Sequence, residues 1–112
     1  SYFLIVWDFI KYAKDNNIEN IVLDSPPGIG CPAVATLTGV DLLVMIIEST
    51  NSGFSDAKRL LELAKNRKIK YCAIINKSGL SDKLDSEVEV FLKNNGVELL
   101  GKIPFKRICR IT

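Results

Sequence analysis

The sequence predicts a parallel α/β domain, and three observations carry that prediction. Segments with helical spacing of apolar residues alternate with short apolar runs from end to end. The central run, Leu42 to Ile47, is continuous rather than alternating, which suits a strand covered on both faces in a parallel sheet. Clusters of Gly, Pro, Asn, Asp and Ser punctuate the boundaries between segments.

Taken in order, Val6, Phe9, Ile10 and Ala13 recur at helical spacing, with Lys11, Lys14 and Asp15 on the other side. This helix should stop near Asn16 and Asn17. Ile21-Val22-Leu23 reads as a short strand ending at Asp24. Ser25 to Pro32 is loop chemistry, with two glycines and three prolines in eight residues. Pro32 suits the first turn of a helix through Ala33-Val34-Ala35-Thr36-Leu37, stopping at Gly39. Asp41 introduces the apolar strand Leu42 to Ile47, and Glu48 to Gly53 follows as polar loop. Phe54 to Lys68 is amphipathic, with Ala57, Leu60, Leu61 and Ala64 as its buried stripe. Lys65, Arg67 and Lys68 lie in its last turns, where they complement the helix dipole. Tyr71 to Ile75 is a further strand, ended by Asn76-Lys77-Ser78-Gly79. Ser81 or Asp82 caps a helix through Asn95, with Val88, Phe91 and Leu92 inward and Gly96 as its stop. Val97 to Leu100 begins the last strand, closed by Gly101-Lys102-Ile103-Pro104-Phe105. The order α-β-α-β-α-β-α-β calls for right-handed crossovers and a parallel sheet with helices on both faces. Ligands in such folds sit at the carboxyl ends of the strands. Four loops are singled out: Asp24 to Pro32, Glu48 to Gly53, Asn76 to Ser81, and Pro104 onward.

Bulk properties narrow the function classes. The 112 residues suffice for one domain. Fifteen basic and 13 acidic residues leave a net charge of +2, too balanced to argue for nucleic acid or an anionic membrane. Lys102, Lys106, Arg107 and Arg110 cluster, and read as a solvated tail. The chain has no histidine, and Cys31, Cys72 and Cys109 are too scattered for a local zinc or iron–sulfur motif. Scattered cysteines suit a reducing cytoplasm. Cys31 is read as a small buried residue; the sharper reading is a thiol activated near a helix start. Cys72 is read as core, and Trp7 and Phe9 as packing residues. No apolar run reaches the roughly 18 residues of a membrane span. The apolar start, Ser1 to Trp7, has no basic leader and no initiator methionine, so an upstream portion is expected to have been removed.

Asp24 ends a predicted strand at the ligand edge, where a carboxylate could hold magnesium through water. The glycines that follow would let backbone N–H groups approach a phosphate. The full string, Asp24-Ser25-Pro26-Pro27-Gly28-Ile29-Gly30-Cys31-Pro32, resembles the switch segment of MinD/ParA/Mrp-type P-loop ATPases. Its Gly-Cys-Pro ending is most like the MinD-like branch with an inserted ferredoxin domain. Glu48 to Gly53, Asp56 to Arg59, Ile74-Ile75-Asn76-Lys77 and Leu100 to Phe105 are similar to later segments of that family, in the same order. The resemblance covers roughly residues 3 to 105, and marks residues 1–112 as the carboxy-terminal portion of an incomplete P-loop NTPase-like domain. The resemblance implies magnesium held at Asp24 and a terminal phosphate contacted by the Gly28 N–H. It also implies the base edge bonded by Asn76, with Lys77 beside it, and adenine packed against Pro104 and Phe105. Lys106 stands where the family often has an acidic residue, which puts that contact in doubt. ATP, a homodimer, and a 4Fe–4S module outside this segment are the implied ligand, assembly and cofactor.

The family's first strand and two-lysine glycine-rich phosphate loop are not in this sequence. Those groups supply most of the charge stabilisation in phosphoryl transfer, so this chain alone is expected to be inactive. Two other readings stand beside the ATPase. One is a non-catalytic α/β binding or regulatory module that pairs with another subunit. The other is a flavodoxin-like or response-regulator-like domain, which would show an acidic or Ser/Thr-rich loop near its first strand.

Overall fold

The computed structural model describes residues 2–25, 31–37 and 39–106. They fall into two compact units, Ser1–Asp41 and Leu42–Thr112.

The first unit holds α1 (Tyr2–Asp15) and α2 (Cys31–Thr36), which pack on each other. Val6 and Ala13 of α1 and Ala35 of α2 are buried. Phe9, expected on the buried stripe, is 60% exposed. At about 100° per residue it lies some 60° round the helix from Val6, off the line through Val6, Ile10 and Ala13. Helix α1 ends where the sequence says, because Asn17 takes a left-handed conformation (φ 56°). The Ile18 N–H reaches back to the Ala13 carbonyl at 2.9 Å, and the Asn17 N–H to that of Lys14 at 3.3 Å, closing a Schellman turn.

The strand expected at Ile21 to Leu23 does not form; residues 18–25 are irregular, and Val22 is 93% exposed. A strand exists by exchanging backbone hydrogen bonds with a neighbour. Among the described residues no strand pairs with Ile21 to Leu23, so its β-branched residues have no ladder to join.

The second unit runs β1 (Leu42–Glu48), α3 (Asn51–Asn66), β2 (Lys70–Ser78), α4 (Asp82–Asn94) and β3 (Glu98–Pro104). The strands form one parallel sheet in the order β1-β2-β3. This is the predicted class, an α/β chain with a parallel sheet flanked by helices. Met45, Ile47, Ala73 and Ile75 form a single core with Ala57 and Leu61 of α3 and Val88 and Leu92 of α4. Both helices of this unit therefore lie on one face. The alternate residues Leu42, Val44 and Ile46 are 54%, 40% and 56% exposed, so in this unit the apolar run of β1 is covered on one side rather than two.

Several boundaries differ from the sequence reading, among them the end of β2, which runs on through Asn76, Lys77 and Ser78, residues assigned to the turn that ends it. Helix α3 starts at Asn51, three residues early, because the Thr50 side chain accepts from the Gly53 N–H at 3.0 Å and caps it. Strand β3 runs on through Gly101 to Pro104, which the sequence assigned to a closing loop. The stop at Gly96 is confirmed (φ 67°), with the Val97 N–H on the Leu92 carbonyl at 2.9 Å. A Cβ at Gly96 would touch nothing within 4 Å, so Gly96→Ala isolates the conformational cost. It is expected to lower stability by about 1 kcal/mol in urea titrations, without changing the slope.

Candidate functional site at the carboxyl edge of the sheet

The register aligns the three strand ends. Glu48 pairs with Asn76, Asn76 with Ile103, and Ser78 with Pro104. Between Asn76 and Ser78 the β2–β3 ladder slips by one residue. The extra residue is Lys77, with φ 56°. A β-bulge of this kind bends the strand and re-aims a side chain. Holding a lysine in the left-handed region costs on the order of 1 kcal/mol. The Lys77 ammonium meets the Glu48 carboxylate at 3.2 Å, a half-exposed pair that contributes under about 1 kcal/mol. The Asn76 carboxamide oxygen accepts from the Lys77 N–H at 2.9 Å. That fixes its orientation and leaves the Asn76 Nδ2 without a hydrogen-bond partner among the described residues. Asn76 thus offers a ligand its donor, while its oxygen already accepts one bond from the chain.

Beneath this edge lies a carboxylate that sequence reasoning missed. Asp85, in the first turn of α4, is 8% exposed. Its Oδ1 accepts from the hydroxyl of Ser49, itself 2% exposed. Its Oδ2 accepts from the Ser78 hydroxyl at 3.0 Å and the Gly79 N–H at 2.9 Å. The Ser49 hydroxyl bond holds the carboxyl below the usual aspartate range, against the opposing effect of burial. The Gly79 N–H, the Ser78 hydroxyl and the Lys102 charge add to the lowering. Two further backbone bonds spread the network: Ser49 N–H to the Asn76 carbonyl at 3.1 Å, and Phe105 N–H to the Ser78 carbonyl at 2.9 Å. All three strand-end loops of this unit are tied to one buried anion. A sequence signal was present: Asp85 precedes Val88 and Leu92 at i+3 and i+7, so it stands on the buried stripe where an apolar residue belongs.

The structure thus places Asn76, Lys77, Pro104 and Phe105 on one edge. Asp24 belongs to the first unit, at the exposed end of its irregular segment. Gly28 lies outside the described residues, as do Pro26, Pro27 and Cys109. No group of three metal-ligating side chains occurs among the described residues. Asp24 by itself is a single exposed carboxylate, a donor set that suits only a cation keeping most of its water. Cys72 is buried in β2, and burial followed by the nearby Glu98 charge pushes its thiol up; it is core and fits no iron–sulfur cluster. Among the described residues no helix is long and apolar enough to cross a membrane. The second unit also has an open groove of about 730 Å³. It is lined by Leu42, Lys68, Tyr71 and Leu100 at the amino ends of the strands, away from this edge.

Comparison with known proteins sets these features in context. An uncharacterized protein of Methanocaldococcus jannaschii is 37% identical over 72 residues, 64% of this chain and 26% of the relative. An uncharacterized ATP-binding protein of the same organism is 26% identical over 96 residues, 85% of this chain and 37% of its own length. The GTPase Era of Borreliella burgdorferi is 36% identical over 59 residues, 53% of this chain and 20% of its own. The chain spans between about a fifth and two fifths of the length of the curated relatives it matches. No family model matches it, and neither does any solved structure. A three-stranded parallel sheet flanked by helices is compatible with part of a P-loop NTPase-like fold.

Proposed function

We propose that this chain is the carboxy-terminal part of a P-loop ATPase of the MinD/ParA/Mrp type, and that the carboxyl edge of its second unit receives the base of ATP. The observation that carries this reading is the gathering of Asn76, Lys77, Pro104 and Phe105 on one edge, with the Asn76 Nδ2 unpartnered among the described residues. A carboxamide donor beside an apolar Pro–Phe pair suits a purine, which offers ring-nitrogen acceptors and a flat apolar face. The similarity to ATP-binding proteins supports the nucleotide class. The switch-like string from Asp24 to Pro32 supports the MinD-like type.

On this reading Asp24 holds a hydrated magnesium ion, which would neutralise charge on the phosphates. Gly28 offers its N–H to the terminal phosphate. Lys77, held by Glu48, borders the base. The phosphate grip comes from a glycine-rich loop elsewhere in a longer protein, so the isolated chain does not hydrolyse ATP. The full protein works in the cytoplasm as a nucleotide-dependent homodimeric switch, and its branch would couple that switch to a 4Fe–4S module outside this segment.

Asn76→Asp separates donor from fold. It keeps the oxygen that accepts from the Lys77 N–H and replaces the free donor by a second acceptor. In the full-length protein it is expected to weaken ATP binding at least tenfold by titration calorimetry, about 1.4 kcal/mol, with unchanged circular dichroism. A native protein that binds no ATP, or a variant that binds it as tightly, would remove the basis of this reading.

A further inference from the structure

We infer that Asp85 is the positioning residue for base recognition at this edge, an inference that rests on the nucleotide reading above. The side chain touches no ligand-facing group directly. Its two oxygens instead hold Ser49, Ser78 and Gly79. Ser49 in turn donates its N–H to the Asn76 carbonyl, and the Ser78 carbonyl receives the Phe105 N–H. Asn76 and Phe105, which would contact the base, are therefore each one hydrogen bond from a residue that Asp85 holds.

The chemistry of the hub explains why an ionised carboxylate is needed there. Three donors converge on it: two hydroxyls and one backbone N–H. Only a group that accepts at both oxygens satisfies them all. An asparagine has nearly the same shape but places an NH₂ where an acceptor is required. It leaves a donor facing donors on one side of the hub. The bulge at Lys77 lies between Asn76 and Ser78, so a loosened Ser78 lets the bulge relax and swings the Asn76 carboxamide. The consequence is confined to the base side of the site. Phosphate contacts, supplied in this reading by other segments, do not pass through Asp85.

The test compares two probes on the full-length protein: ATP and inorganic tripolyphosphate, each with magnesium. The affinity ratio of the two reports what the base adds. Asp85→Asn is expected to cut that ratio about tenfold while tripolyphosphate affinity stays within a factor of two. Ser78→Ala removes one of the three donors and is less disruptive to folding. It is expected to cut the ratio about threefold, and decides the matter if Asp85→Asn does not fold. A purely structural role would lower both affinities together and leave the ratio unchanged in both variants. That result, in a native protein that binds ATP, overturns the inference and leaves the nucleotide reading standing. A native protein that binds tripolyphosphate and ATP equally, or neither, overturns the nucleotide reading itself and the inference with it.

Discussion

Asp85→Ala is expected to destabilise the second unit by about 2 kcal/mol. The change deletes the acceptor for the Ser49 hydroxyl, which is 2% exposed, and for the Gly79 N–H. A buried donor left unpaired costs on the order of 1–3 kcal/mol; Ser49 is that donor, whereas Gly79 is exposed and its N–H can turn to water. Ser78 is only half-buried and can turn to water, so it adds little. Against a typical domain stability of about 5–15 kcal/mol, that loss is large. It should be read by far-UV circular dichroism in urea, since the lone tryptophan, Trp7, lies in the first unit and does not report on the second. The same carboxylate sets an acid limit. Its folded pKa lies below the ordinary value of 3.8. At pH between the two values the unfolded chain binds more protons, so stability rises with pH there. The contribution is complete above the ordinary value and is lost as pH falls through the folded one. Below about pH 4 the native chain should therefore lose stability more steeply than Asp85→Asn, by at most about 1.4 kcal/mol per pH unit. Parallel acid limbs for the two proteins would show that folding does not hold the carboxyl below its ordinary range.

Most of the fold was legible because it is written in local chemistry. Thr50 and Ser81 accept hydrogen bonds that start helices, and Asn17 and Gly96 end them, each acting within a few residues of itself. The strand at Ile21 to Leu23 was misread because a strand is not a local property. Its apolar side chains give the pattern, but only a neighbouring strand supplies the bonds. Asn76, Lys77, Pro104 and Phe105 were singled out through a resemblance of short strings; the register and the Phe105 N–H bond to Ser78 put them at the same strand ends. Asp85 was not found, because its partners come from residues 36 and 7 positions away, and from a glycine N–H that has no side-chain signature. An acid on a buried stripe was the one clue. The bulge at Lys77 carried no clue: a left-handed lysine looks like any surface lysine in sequence.

Gly53→Ala should also be costly, although helix propensity alone argues the opposite. Alanine inside a helix is favoured over glycine by about 1 kcal/mol, and Gly53 lies in the first turn of α3. The surroundings reverse the sign. A Cβ at this position would stand 2.5 Å from the Glu48 carbonyl oxygen, and 3.0 Å from both the Glu48 Cβ and the Thr50 Oγ1. The carbonyl cannot simply turn aside, because it accepts from the Thr50 N–H at 2.8 Å in the tight turn leaving β1. Nor can Thr50 withdraw, since its hydroxyl caps the helix on the Gly53 N–H itself. Overpacking against backbone costs up to about 3 kcal/mol, so the net loss should be about 2 kcal/mol. The strain falls on Glu48 to Thr50, which carries the Lys77 ion pair and the Ser49 hydroxyl bound to Asp85. Hydrogen exchange is the discriminating measurement. The amides of Ser49 and Gly79 should exchange faster in the variant, while those in the middle of α4 hold their rates. Slower exchange at Ser49 with a gain in stability would mean that propensity wins and that the close approach at Glu48 relaxes without cost.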